Sequence, residues 1–122
     1  MYTISEFCKG LEDSIVTRES FLPNIEQNGN TRVFFTSHIE GLRTIRKILQ
    51  GLGYWDVDNE LPNTAEKQTQ IKQIISNLVT EWSENMVAAQ NKGAKDTLVY
   101  TGLSSGALEA SSYGAWMSVW PV

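Results

Sequence analysis

The sequence predicts a mainly α, four-helix bundle-like fold in a single domain that spans residues 1–122. Apolar residues recur at steps of three and four along three segments, which is the period of a helix with one buried face. Turn-forming residues separate these segments. With 41% apolar and 20% charged residues, the chain has a globular composition and is long enough to bury a core without disulfides.

The first helix is predicted to run from about Thr3 to about Ser20. Thr3 and Glu6 form a capping box, and Pro23 disfavours helix at Leu22, the residue that precedes it. Between these limits one apolar stripe steps by four, three and four residues: Ile4, Cys8, Leu11 and Ile15.

Residues 27–30, Gln-Asn-Gly-Asn, strongly predict a turn, which is compatible with two local structures. The turn joins either two helices or the two strands of a small hairpin around residues 24–35. We favour helices because the next apolar face is long, and Gly51 and Gly53 end it. That face contains Phe35, Ile39, Leu42, Ile45, Leu49 and Leu52.

The third helix has the clearest pattern of the chain. After an acidic aromatic loop, Tyr54 to Pro62, either Asn63 or Thr64 caps a helix over residues 65–90, and residues 92–95 end it. Its stripe steps by four, three, four, four and three residues: Ile71, Ile75, Leu78, Trp82, Met86 and Ala89.

The fourth helix is predicted to start at Ser104 or Ser105 and to end near Trp120. Residues 98–101 are expected to form a short strand or an extended entry to it. Together with a hairpin around residues 24–35, a strand at 98–101 would give an α+β fold, which is the main alternative.

Charge and cysteine content exclude several classes of protein. A net charge of −4 and a pI near 4.9 argue against nucleic-acid binding, which needs a basic surface. Cys8, the single cysteine, excludes an internal disulfide and suits a reducing compartment. No signal peptide or membrane-spanning pattern is recognisable, so we expect a cytoplasmic or virion protein without membrane or nucleic-acid partners.

None of the catalytic motifs in the sequence is accompanied by the other residues that its chemistry requires. Residues 102–106 match G-x-S-x-G around Ser104, but the only histidine, His38, precedes that serine, whereas hydrolases of this pattern place it last. We therefore expect a helix cap at Ser104. Cys8 and His38 could pair as nucleophile and base. We instead expect Cys8 to be a small buried residue and His38 to be a core-edge residue with one satisfied nitrogen.

Two charged clusters have simple structural interpretations. The acidic loop at residues 56–60 lacks the glycine and the glutamate that a calcium loop requires, so no metal or other cofactor is expected. Arg43, Arg46 and Lys47 share one face of the second helix, and with Arg32 they make residues 31–53 the only basic region of the sequence. A phosphate or an acidic partner could dock there. We expect this basic face to pair with the acidic first helix at Glu12, Asp13 and Glu19.

Residues 97–122 form the least ordinary segment, a predicted C-terminal interaction segment with a single charged side chain, Glu109. Small residues recur there at every fourth position: Gly102, Gly106, Ala110, Gly114 and Ser118. Such a row permits close approach of two helices, within the fold or between chains. Its aromatic and sulfur-containing side chains are the predicted protein-interaction residues: Tyr113, Trp116, Met117 and Trp120.

The absence of a catalytic signature favours a non-catalytic protein-interaction or structural subunit of a larger assembly over an enzyme. A phage or virus structural or assembly protein is one natural setting, and the partner is a second protein or further copies of the chain. The alternative is a small acidic binding protein that inhibits a host or competitor protein. Its carboxylates would then mimic phosphates, although a net charge of −4 is weak for this role.

Overall fold

The computed structural model describes residues 4–27, 29–55 and 65–116; at Ala65, Ala94, Lys95 and 113–116 it describes the backbone alone. Within these residues there are four α-helices and one short 3-10 turn, and none of them forms a strand. The mainly α prediction is therefore confirmed. The helices are α1 (Ile4–Phe21), α2 (Asn30–Gly51), α3 (Ala65–Ala89) and α4 (Ala94–Trp116), with the 3-10 turn at Leu22–Asn24.

The hairpin alternative around residues 24–35 is wrong. Leu22–Asn24 forms the 3-10 turn with Pro23 in its first positions, and α2 begins at Asn30. The guanidinium of Arg32 donates hydrogen bonds to the carbonyl oxygens of Leu22 (2.9 Å) and Ile25 (3.3 Å). Arg32 thereby satisfies backbone carbonyl groups of the connection and does not extend the basic face of Arg43, Arg46 and Lys47.

The fourth helix begins ten residues earlier than Ser104, so residues 98–101 are helical and not a strand or an extended entry. Gly93, with a φ of +130°, separates α3 from α4, and the Thr97 hydroxyl donates to the Gly93 carbonyl oxygen. Tyr100 and Leu103 pack against the core, and Ala107 is fully buried. This tertiary packing outweighs the strand propensity of the local sequence.

The predicted apolar stripes of α1, α2 and α3 meet in one core, except for Leu52, which follows α2 and is 52% exposed. The stripe of α1 is completely buried, and four members of the α3 stripe are buried: Ile71, Ile75, Trp82 and Ala89. Burial of these side chains, each contributing about 1.5–3 kcal/mol, is the main source of stability. The fully buried large side chains are Ile4, Phe7, Leu11, Ile15, Ile39, Leu42, Ile45, Leu49, Ile71 and Ile75.

Helices α2 and α4 run parallel and touch through glycines. A methyl group added at Gly102 would lie 2.6 Å from the Phe34 carbonyl oxygen, and one at Gly41 would lie 2.5 Å from the Leu103 carbonyl oxygen. One at Gly106 would overlap the carbonyl oxygen of His38. The small-residue row therefore packs within the fold as far as Ala110, which is buried.

Helix α1 lies antiparallel to α2 and is tied to it by ion pairs. Arg46 contacts Glu12 at 2.9 Å, and Arg43 contacts Glu19 at 3.1 Å. The predicted pairing between the basic face of α2 and the acidic first helix is thus confirmed at two positions. Because α2 and α4 are parallel, α1 is also antiparallel to α4.

Candidate functional site

A polar cluster joins three helices around Glu109 of α4. Arg18 of α1 donates two hydrogen bonds to the carboxylate, from Nη2 to Oε1 (2.7 Å) and from Nε to Oε2 (3.0 Å). His38 of α2 contacts Oε2 through Nε2 at 2.5 Å, and its Nδ1 lies 3.0 Å from the Ser105 hydroxyl oxygen. The only charged side chain of residues 97–122 is thus satisfied inside the fold.

Glu109 is held ionised by this arrangement. Partial burial alone would raise the pKa of the carboxyl, but the hydrogen bonds from His38 and Arg18 outweigh it and lower the pKa from 4.5 to about 2. In the tautomer that carries its proton on Nε2, His38 donates to Glu109 and accepts at Nδ1 from the Ser105 hydroxyl. Both ring nitrogens are therefore bonded, whereas the sequence predicted one.

Ser105, His38 and Glu109 are the residue types of a hydrolytic triad, but they lie in a different structural context. Residues 102–106 lie in the middle of α4, not on the sharp strand-to-helix turn that G-x-S-x-G requires. Ser104, the motif serine, is buried, and its hydroxyl has no hydrogen-bond partner among the described residues. It is not a helix cap, so that prediction is wrong. The geometry makes the cluster a clamp between helices.

The other candidate chemical sites are not brought together. Cys8 is buried and donates its thiol hydrogen to the Tyr54 carbonyl oxygen at 3.5 Å, whereas His38 bonds to α4. The acidic loop at residues 56–60 lies outside the described residues. Within residues 4–27, 29–55 and 65–116, no group of three or more histidine, cysteine or carboxylate side chains is arranged to hold a metal ion.

A groove of about 450 Å³ runs beside the clamp, between α1 and α4. Small residues of α1 line it, Phe21 stands at one end, and the paired side chains of Arg18 and Glu109 form one wall. We call it the α1–α4 groove; its lining is Gly10, Asp13, Ser14, Thr17, Arg18, Phe21 and Glu109.

The predicted protein-interaction residues lie at and beyond the end of α4. Tyr113 and Trp116 belong to the last turns of that helix, where the structure describes the backbone alone. Met117 and Trp120 lie outside the described residues. Their role as contact residues therefore stays a prediction.

The clamp itself was missed by sequence reasoning, although two signals pointed to it. Glu109 is the only charge in an otherwise uncharged segment of 26 residues, and a carboxylate in such a helix needs a cationic partner when the helix packs. His38 was placed correctly at the edge of an apolar face. Arg18 could not be assigned, because a sequence does not reveal which cation of α1 faces which position of α4.

These features define a mainly α, bundle-like domain with an internal three-helix clamp and a groove beside it. No protein-family model matches the chain, and no match was found among curated proteins or solved structures. In the part of the chain that the structure describes, none of the helices combines the length and the apolar character needed to cross a membrane.

Proposed function

We propose that this chain is a non-catalytic protein-interaction or structural subunit of a larger assembly. Its contacts are made by the aromatic end of the C-terminal segment, with Tyr113, Trp116, Met117 and Trp120 as anchors. The observation that carries the proposal is the use of Glu109 inside the fold. Residues 110–122 themselves contain no charged side chain.

Burial accounts for the low charge of the first half of this segment. Gly102, Ser104, Gly106, Ala107 and Ala110 are all buried against neighbouring helices. The following twelve residues contain two tryptophans, one tyrosine and one methionine and carry no charge. Aromatic residues of this kind contribute most of the binding energy at protein interfaces.

Tryptophan substitutions test the proposal. For Trp116→Ala and for Trp120→Ala we expect self-association to weaken at least about tenfold, because an anchor worth more than about 1.4 kcal/mol is lost. The unfolding free energy of the monomer should change little. Light scattering after size exclusion across a concentration series measures the first quantity, and urea denaturation measures the second.

Val87→Ala is the matched control, because Val87 is 59% exposed on α3 and should alter neither quantity. A loss of about 3–5 kcal/mol of stability with unchanged mass would place the tryptophans in the core and contradict the proposal. A 13.7 kDa monomer at every concentration would contradict self-association and require a foreign protein as partner.

A further inference from the structure

A cavity of about 300 Å³ lies at the end of the bundle where residues 90–93 join α3 to α4. The two helices are antiparallel, and the Thr101 hydroxyl donates to the Met86 sulfur at 3.1 Å. Beyond this contact α3 lines the cavity with Ala88 and Ala89, whose methyl groups leave space between the helices unfilled. Small-molecule sites enclose about 300–1,000 Å³, so the cavity can hold a compact ligand. We call it the α3–α4 pocket.

Four polar side chains converge on the α3–α4 pocket: Asn85 from α3, Lys92 from the connecting turn, and Asp96 and Tyr100 from α4. None of these side chains takes part in a hydrogen bond or an ion pair within the part of the chain that the structure describes. Gly93, with a φ of +130°, interrupts the helix between Lys92 and Asp96. The pocket therefore presents an ammonium group and a carboxylate that no ion pair joins.

An apolar wall lies beside these two charges. It consists of Ala88, Ala89 and Val99, and Ala89 is only 4% exposed. Tyr100 packs against the core, which fixes the position of its ring at the pocket. A matching ligand combines a positive group, a negative group and a short apolar portion. An α-amino acid carries these three parts on one carbon atom.

We propose that the α3–α4 pocket binds a free α-amino acid with an aliphatic side chain. The carboxylate of the ligand pairs with the Lys92 ammonium group, and the ammonium group of the ligand pairs with the Asp96 carboxylate. The aliphatic side chain lies on the apolar wall, and the two uncharged polar side chains add hydrogen bonds. This site is independent of the proposed function, because Tyr100 lies about 24 Å before the end of α4.

The two charges also have a structural role that must be separated from ligand binding. Lys92 follows the C-terminus of α3, and Asp96 lies in the first turn of α4, so each is favoured by a helix dipole. That role predicts lower melting temperatures when the charges are removed, but it predicts no discrimination between small molecules. Preference among matched ligands is therefore the decisive measurement.

A titration followed by nuclear magnetic resonance tests the class of ligand. L-leucine is added to isotope-labelled protein, and so are two analogues that each lack one charge: isocaproate lacks the ammonium group, and isoamylamine lacks the carboxylate. We expect saturable shifts of the backbone amides of residues 85–100 with L-leucine and none in α1. Each analogue should have a dissociation constant about two- to fivefold higher, because one exposed ion pair is missing.

Lys92→Gln and Asp96→Asn test the assigned contacts. In Lys92→Gln we expect L-leucine to lose its advantage over isoamylamine and to keep its advantage over isocaproate. Asp96→Asn should show the reverse pattern. Lys9→Gln and Asp13→Asn are the matched controls at exposed positions of α1, and both should retain the two preferences of the wild type.

Several results would overturn the proposal. One is the absence of saturable shifts at residues 85–100 with L-leucine, and another is equal binding of L-leucine and both analogues to the wild type. Lower melting temperatures of Lys92→Gln and Asp96→Asn with unchanged preferences would assign these charges to the helix ends alone. Self-association, measured by light scattering, should be the same in all four variants, so failure of this site leaves the proposed function untouched.

Discussion

At the scale of single residues, Glu109 shows how one carboxylate joins three helices. It accepts hydrogen bonds from α1 and α2 while lying in α4, so its removal leaves Arg18 and His38 facing each other without a carboxylate. We expect Glu109→Gln to lower the unfolding free energy by about 1–3 kcal/mol at pH 7, measured by urea denaturation. Glu40→Gln, which breaks an exposed pair with Arg43, should cost less than about 0.5 kcal/mol.

The same carboxylate gives the stability of the protein a defined dependence on pH. Its pKa is about 2 in the folded protein and 4.5 as the ordinary value, so its stabilisation is complete above the ordinary value. The contribution is lost as the pH falls from about 4.5 towards about 2. The difference in unfolding free energy between the wild type and Glu109→Gln should shrink through this window. A constant difference between pH 5 and pH 2.5 would contradict the assignment.

Ser104 is the serine of the G-x-S-x-G motif, yet we expect that its replacement by alanine is harmless. Its hydroxyl is buried in the middle of α4 without a partner among the described residues. Alanine removes that unsatisfied group and has a higher helix propensity. We therefore expect Ser104→Ala to leave stability unchanged or to raise it by up to about 1 kcal/mol in thermal and urea denaturation. A loss of more than about 1 kcal/mol would indicate a hydrogen bond to this hydroxyl.

At the scale of elements, the glycine contact between α2 and α4 determines how closely these helices pack. A methyl group at Gly106 would overlap backbone of α2, which a side-chain rotation cannot relieve. Gly106→Ala should therefore destabilise the protein by about 1–3 kcal/mol, although alanine favours helix. Gly51→Ala is the control, because nothing lies within 4 Å of the added methyl group. Equal stability of the two variants in urea would show that α2 and α4 separate without cost.

The element boundaries also show what the sequence could and could not predict. Apart from the exposed Leu52, the stripes of α1, α2 and α3 were correct because each has a polar opposite face that makes the helical period visible. Helix α4 has little such contrast, since it packs against α2 through glycines and against the core through Tyr100 and Leu103. Its start at Ala94 was therefore missed. The clamp depends on which helices become neighbours, and periodicity within one helix does not contain that information.

At the scale of the whole molecule, the proposed assembly through the C-terminal segment would couple stability to protein concentration. A partner that binds only the folded chain raises the melting temperature by mass action, and the rise grows with concentration. We expect the wild-type melting temperature to increase by a few degrees over an about 100-fold range of protein concentration. For Trp120→Ala the melting temperature should be constant, and for Val87→Ala it should follow the wild type. Circular dichroism at matched buffer and heating rate measures it, and a wild-type value independent of concentration would exclude self-association as the role of this segment.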